Sequence, residues 1–211
     1  MKYLIIGAVG LASLGALSGC ATMSEDQCLA GDWGQQGYTD GYAGYSESRL
    51  EDHAQACAKY GVVPNSAAYF SAREDGLRQY CVPERAFSEA ARGNSYAGVC
   101  RGPVEGAFLA AWSDGETLYR AEQAITEARS RVDSLGTRAT ELDEKIDYFQ
   151  GQARDTNLTD EAREQARNRV QELRHERQQT LREWRDAQDY LDHAEREARD
   201  VRYYLIGRYG F

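Results

Sequence analysis

Four cysteines supply the most reactive side chains of this sequence. They are Cys28, Cys57, Cys81 and Cys100, spaced 29, 24 and 19 residues apart. Apart from Cys20, the cysteines are thus even in number, and in a chain with an export signal this predicts two disulfides. The absence of paired C-x-x-C spacing argues against zinc, so no metal or other cofactor is expected. Three pairings remain open. Positions near predicted helix ends favour Cys57 with Cys81 and Cys28 with Cys100.

His53 is the one candidate acid or base catalyst. It follows Asp52 and precedes Cys57 by four residues, which places it on the same helical face as that cysteine. The sequence contains no hydrolase triad motif, no H-E-x-x-H, no P-loop and no dinucleotide-binding glycine motif. A partly buried structural histidine is therefore the favoured interpretation, and an enzyme that uses His53 is an alternative.

An Asp-Gly pair followed by tyrosine recurs three times. The copies are Asp40-Gly41 with Tyr45, Asp75-Gly76 with Tyr80, and Asp114-Gly115 with Tyr119, at intervals of 35 and 39 residues. A glycine and a tyrosine four apart share a helix face, so the pattern predicts short, closely packed helices. The alternative is a glycan-binding face built from Trp33 and these units; its candidate residues are Trp33, Asp40, Tyr45, His53, Asp75 and Tyr80.

The first 19 residues have the features of a secretory signal. Lys2 precedes an apolar stretch that is too short for a permanent membrane helix. The stretch ends at Leu17-Ser-Gly-Cys20, which resembles a lipoprotein processing box in which Cys20 carries the lipid. In lipoproteins of this kind an aspartate after the cysteine retains the protein at the inner membrane. Ala21 therefore predicts anchoring to the periplasmic side of the outer membrane.

Residues 116–211 predict an antiparallel coiled-coil hairpin. Apolar residues recur at alternating intervals of three and four from Leu118 to Ala153. Residues 155–160 form a predicted turn with Thr159 as N-cap, and a second helix runs to about residue 206. Equal helix lengths place the start of the first helix near Pro103. The aromatic C-terminal residues Tyr203, Tyr209 and Phe211 are expected to dock where the returning helix meets the first module.

The resulting fold prediction is all-α. A disulfide-bonded, Gly/Tyr-rich helical module at residues 20–115 continues into the hairpin at 116–211, after a signal peptide at 1–19. The 211 residues carry 25 basic and 34 acidic side chains and a net charge of −9, which argues against a nucleic-acid partner because phosphate binding needs clustered basic residues.

The glycine, tyrosine and cysteine positions together resemble a known family. From the lipoprotein box to about Tyr119 the chain is similar to the bacterial envelope lipoproteins of domain of unknown function family 2799. The resemblance implies an envelope location and no activity, because the family has none assigned. It is carried by Cys28, Asp32-Trp33, Gly37, Asp40-Gly41, Gly44, His53, Ala56-Cys57, Gly61, Pro64, Tyr69, Gly76-Leu77, Tyr80-Cys81, Gly93, Tyr96, Gly98-Val99-Cys100, Phe108 to Ala111, Asp114-Gly115 and Leu118-Tyr119.

Three functions are consistent with this sequence. The first is a noncatalytic scaffold or adaptor, held to the membrane by the lipid on Cys20, which presents the hairpin to an envelope protein partner. The second is a module that binds glycans or peptidoglycan through Trp33 and the Asp-Gly-Tyr units. The third is an enzyme that uses His53.

Overall fold

A computed structural model describes residues 22–209 of the chain, and the all-α prediction is confirmed there, because these residues contain no strand. A short 3-10 turn, Gly102–Val104, precedes the sixth helix. The helices are α1 (Glu25–Ala30), α2 (Trp33–Tyr42), α3 (Arg49–Ala58), α4 (Ser66–Tyr80), α5 (Pro83–Ala91), α6 (Glu105–Arg154) and α7 (Asp160–Tyr209).

Several sequence predictions fall outside the described residues. These are the signal peptide, lipid attachment at Cys20, the role of Ala21 and docking of Phe211. Within residues 22–209, none of the helices combines the length and apolar composition that a membrane crossing needs.

The chain divides into two compact units between Tyr80 and Cys81. Unit 1 comprises the residues up to Tyr80 and contains α1 to α4; unit 2 begins at Cys81 and contains α5 to α7. The sequence placed a boundary at 115/116. The structure puts α5 with the hairpin because α5 packs directly along the first turns of α6.

Unit 1 is built around the pair α2 and α4, which approach each other closely. A Cβ atom added at Gly37 or Gly41 would overlap the carbonyl oxygens of Tyr69 or Arg73, and one at Gly76 would overlap the backbone of Tyr38. Backbone contacts this close require glycine. The packing interpretation of the recurring glycines is therefore supported by the geometry of this helix pair.

The turn after α2 also depends on glycine. Gly44 adopts φ +73°, and the amides of Gly44 and Tyr45 donate to the carbonyls of Gly41 and Asp40, each at 3.0 Å. This pattern is a Schellman motif, which ends a helix with a residue in the left-handed conformation. The ring of Tyr80 packs against Gly44 where a side chain would otherwise lie.

Unit 2 contains a second helix pair, α5 and the N-terminal part of α6. Gly115 lies against the backbone of Phe87, so a Cβ atom there would overlap the Phe87 carbonyl oxygen. The turn after α5 repeats the turn after α2: Gly93 has φ +78°, and Gly93 and Asn94 donate to Ala90 and Glu89 at 2.9 and 3.1 Å.

Helices α6 and α7 form the antiparallel hairpin, as predicted. Helix α6 follows the 3-10 turn that contains Pro103, close to the expected start, and Thr159 caps α7 by accepting a hydrogen bond from Ala162 at 3.2 Å. Leu142, Ile146, Val170 and Leu173 form a buried cluster near the turn. Ion pairs cross between the helices on the exposed faces: Arg129–Glu195, Arg131–Glu183, Arg138–Glu176, Arg177–Asp143 and Arg202–Glu122.

Candidate functional site

The four cysteines form two disulfides, as predicted, but with a different pairing. The bonds are Cys28–Cys57 and Cys81–Cys100, with Cα–Cα distances of 5.4 and 5.5 Å. The favoured pairing of Cys57 with Cys81 and Cys28 with Cys100 is therefore wrong. Each bond closes a loop within one unit, because the helix packing brings α1 beside α3 in unit 1 and holds residue 100 near the start of α5 in unit 2.

A buried cluster of polar side chains forms the candidate site in unit 1. Asp40 on α2 is 2% exposed, and His53 on α3 and Tyr69 on α4 are fully buried. His53 Nε2 lies 2.7 Å from Asp40 Oδ2, and the Tyr69 hydroxyl donates to the same oxygen at 2.6 Å. The structure thus brings together two candidate residues, Asp40 and His53, with a tyrosine that sequence reasoning assigned only to the family resemblance.

Two more side chains complete the cluster. Gln36 Nε2 donates to Asp40 Oδ1 at 3.0 Å, and the Thr22 hydroxyl lies 2.7 Å from His53 Nδ1. A carboxylate only accepts hydrogen bonds, so the contact at Nε2 is assigned as an N–H that donates to Asp40, and Nδ1 faces the Thr22 hydroxyl. Sequence reasoning missed Thr22 and Gln36. The spacing of Gln36 four residues before Asp40 was an available signal.

Burial keeps Tyr69 in its donor form. Loss of contact with water raises the pKa of its hydroxyl, and the hydrogen bond to the Asp40 carboxylate raises that pKa further. Gln36, His53 and Tyr69 therefore all donate to Asp40. These hydrogen bonds offset the cost of burying its carboxylate.

The cluster contains the side-chain types of a catalytic site, but its histidine is buried. A histidine between a carboxylate and a hydroxyl is the order of groups found in hydrolases. Here the imidazole is enclosed, and the hydroxyl partner, Thr22, belongs to the chain segment that covers it. Four cavities of about 280 to 420 Å³ are lined by unit 2 residues, and none of their lining residues belongs to the Asp40 cluster. Among residues 22–209 no group of acidic, histidine or cysteine side chains could hold a metal ion.

The other candidate ligand-binding residues are dispersed in unit 1. Trp33 is buried in the core beside Met23 and Cys28, and Tyr80 is buried against Gly44. Asp75 is exposed and pairs with Arg78.

Tyr45 is half-exposed and is held by two arginines. The Arg49 guanidinium lies 4.7 Å from the Tyr45 ring centroid, and buried Arg73 donates to the Tyr45 carbonyl at 2.6 Å. Arg73 was not among the candidate site residues, and a charged side chain on a helix is usually exposed.

Unit 2 has its own tyrosine–carboxylate pair at the end of α7. The Tyr209 hydroxyl donates to Asp114 at 2.8 Å, Arg208 pairs with the same carboxylate at 3.1 Å, and the Tyr209 ring stacks on Phe87 at 4.4 Å. Partial burial, and then the bond to Asp114, raise the pKa of Tyr209 to about 12. The predicted docking of aromatic residues is thus found for Tyr209, whereas Tyr203 is exposed.

Comparison with known proteins finds one family model that matches part of the chain. No curated protein and no solved structure matched the chain. Residues 32–117 match the family model described as "Protein of unknown function (DUF2799)". The matched segment contains the glycine contacts of both helix pairs and the Asp40–His53–Tyr69 cluster, and the match places this segment in that family.

Proposed function

We propose that this protein is a lipid-anchored lipoprotein of the bacterial envelope, held through Cys20 to the periplasmic side of the outer membrane, where it acts as a noncatalytic scaffold or adaptor. The observation that carries the proposal is the hairpin of two 50-residue helices, α6 and α7. At 1.5 Å per residue each helix is roughly 75 Å long, enough to present a binding surface far from its base.

The hairpin has exposed side chains suited to a protein partner. Tyr148 and Tyr190 are both about 60% exposed on helices whose other outward residues are mostly charged. Tyr190 borders a cavity of about 310 Å³, lined also by Ala128, Arg131 and Ala187. Tyrosine and arginine are enriched in protein interfaces, so the exposed face of the hairpin that carries these residues is the proposed contact surface.

Anchoring and partner binding are tested separately. Cys20→Ser should move the protein from the membrane to the soluble periplasmic fraction and abolish the lipid adduct seen by mass spectrometry. Unchanged membrane fractionation without any lipid adduct on the native chain would overturn the anchor.

Partner binding is tested by photocrosslinking in cells. A photoreactive residue at Tyr148 or Tyr190 should give one adduct of defined mass that also purifies with the native hairpin. The same residue at exposed Gln79 of unit 1 is the control and should not give that adduct. Equal adducts from all three positions, or none from the hairpin, would contradict the scaffold.

A second candidate function, binding of peptidoglycan glycans, is favoured by one observation. Tyr38, Tyr42 and Tyr45 are each 40–46% exposed along α2 and its following turn, and the rings of Tyr38 and Tyr42 stack at 6.3 Å. Exposed aromatic rings can stack on sugar rings, whereas buried Trp33 and Tyr80 cannot. Co-sedimentation with purified peptidoglycan should be lost in Tyr38→Ala and kept in Tyr148→Ala if this candidate is right.

A further inference from the structure

The turn after α3 holds an apolar residue, Val63, that is exposed and does not pack on the core. Gly61 has φ +70°, and the amides of Gly61 and Val62 donate to the carbonyls of Ala58 and Cys57 at 3.0 and 3.4 Å. In this Schellman motif the residue after the glycine packs back on the helix, and Val62 does so against the unit 1 core. Val63, the next residue, is 83% exposed.

The neighbours of Val63 are amphipathic. Lys59 is exposed and its Nζ lies 4.8 Å from the centroid of the Tyr60 ring, while the inner side of Tyr60 packs on the core. A Cβ atom added at Gly61 would have no neighbour within 4 Å, so Gly61 also faces open space. An apolar tip flanked by tyrosine and lysine is typical of segments that lie in a bilayer interface.

The start of the described chain brings this loop close to the proposed anchor. Met23 Sδ lies 3.9 Å from Cys57 Sγ, and Thr22 is hydrogen-bonded to buried His53. Thr22 follows Cys20 by two residues, which span about 7 Å at most when fully extended. A lipid on Cys20 would therefore hold unit 1 against the leaflet with almost no linker.

We propose that residues 59–64 form a second membrane contact, in which Val63 enters the interfacial region of the phospholipid leaflet and Lys59 meets the lipid phosphates. The proposal rests on the lipid anchor at Cys20, and it extends that anchor from a tether to a fixed orientation of unit 1. The exposed acidic residues Glu25 and Asp26 at the start of α1 are repelled by anionic lipid, so only the loop tip enters the leaflet.

The test uses the lipidated full chain in vesicles of phosphatidylethanolamine and phosphatidylglycerol that contain a brominated phospholipid. Val63→Trp supplies a fluorophore at the loop tip. Gln79→Trp supplies a matched exposed control on α4, thirteen residues and roughly 20 Å from the start of that helix, which follows the loop. Each variant is compared with the parent chain, so that the signal of the native tryptophans is subtracted. Lys59→Glu is added to Val63→Trp as a charge control.

We expect the brominated lipid to quench the Val63→Trp signal several-fold more than the Gln79→Trp signal. Adding Lys59→Glu should reduce the quenching of Val63→Trp roughly twofold. If the chain carries its lipid and stays on the vesicles but both tryptophans are equally unquenched, the loop contact is wrong while the anchor stands; the exposed tip would then be a surface for protein. If mass spectrometry shows no lipid on Cys20, the anchor and the loop contact both fail.

Discussion

Each unit contains a helix pair of the same kind, but the structures built around the two pairs differ. In unit 1 the pair is α2 and α4; in unit 2 it is α5 and the start of α6. Each first helix ends in a Schellman turn at a glycine with φ near +75°, Gly44 or Gly93. Each turn glycine is covered by the tyrosine that follows a helix-contact glycine by four residues, Tyr80 or Tyr119. The second and third Asp-Gly-Tyr copies, at Asp75 and Asp114, mark this shared arrangement in the sequence, whereas the first copy, at Asp40, lies on α2.

The units differ in what lies between the paired helices. Gly44 and Gly76 are 32 residues apart, whereas Gly93 and Gly115 are 22 apart, and the ten extra residues match the length of α3. Helix α3 brings His53 to Asp40 and Tyr69. Seven residues before Gly115, where unit 1 has Tyr69 before Gly76, unit 2 has buried Phe108. The helix pair therefore does not itself require the polar cluster.

The second difference is length. Helix α4 ends at Tyr80, whereas α6 continues for 35 residues beyond Tyr119 and pairs with α7. Unit 1 encloses a buried polar cluster beside its apolar core, and unit 2 extends an exposed hairpin. This contrast favours a structural role for the His53 cluster and a binding role for the hairpin.

The largest effect is expected at Asp40. Asp40→Ala leaves His53, Tyr69 and Gln36 without their acceptor and should lower the free energy of unfolding of unit 1 by about 4 kcal/mol. The matched change in unit 2 is Glu89→Ala, because Glu89 occupies the same place before the Schellman turn and pairs with Arg85 nearer the surface. It should cost about 1 kcal/mol. Urea unfolding followed by hydrogen exchange separates the units; equal costs would break the comparison.

Ile146→Asp should open the distal hairpin at a cost of about 3 kcal/mol, because it places a carboxylate in the cluster of Leu142, Val170 and Leu173. Glu144→Ala, at an exposed position two residues earlier, should be nearly silent. Hydrogen exchange should accelerate between residues 140 and 175 and stay unchanged in unit 1. Loss of protection in unit 1 would show that the two units unfold together.

Gly41→Ala should destabilise unit 1 by about 2 kcal/mol, because its Cβ would overlap the Arg73 carbonyl oxygen and force α2 away from α4. Unit 2 has Ala90 at the matching place, three residues before its turn glycine, and Ala90→Gly should cost about 1 kcal/mol or less. Thermal unfolding of the two variants measures both. A stabilised Gly41→Ala chain would show that the backbones are not in contact.

The smallest expected effect concerns the two tyrosine–carboxylate pairs at alkaline pH. Both folded pKa values lie above the unfolded value of 10, so the stabilisation by each protonated hydroxyl is complete below pH 10 and declines above it. Tyr209 should lose its contribution between pH 10 and about 12, whereas buried Tyr69 should stay protonated until unit 1 opens. Phenolate absorbance in Tyr209→Phe and Tyr69→Phe assigns the steps. Ionisation of Tyr69 before Tyr209 would contradict the enclosed cluster.

Local patterns predicted the helical parts of this fold well. The three-four spacing from Leu118 to Ala153, the cap at Thr159 and the proline at 103 each act within a few residues, so sequence alone located the hairpin and its turn. The disulfide pairing depends on which helices become neighbours, and no local signal carries that information. The same reason explains Thr22, which meets His53 across 31 residues.

The candidate site was predicted only in part. Asp40 and His53 were both singled out, but through different arguments, the repeat for one and the titratable ring for the other. Their meeting depends on α3 folding across α2, which periodicity does not specify. Tyr80 shares a helix face with Gly76, but its ring covers Gly44 in the turn after α2, a contact between elements that local spacing does not specify.

The central claim is that the partner binds the hairpin, and that the His53 cluster has a structural role. The direct measurement is the yield of the crosslinked partner adduct from Tyr148, which lies in the part of the hairpin that Ile146→Asp is expected to open. The cells carry either Ile146→Asp or His53→Gln, whose amide can still donate to Asp40. Equal expression of the two variants is verified beforehand. The account predicts that His53→Gln keeps the adduct and Ile146→Asp loses most of it. Loss of the adduct in His53→Gln with an intact fold, together with its retention in Ile146→Asp, would contradict the account.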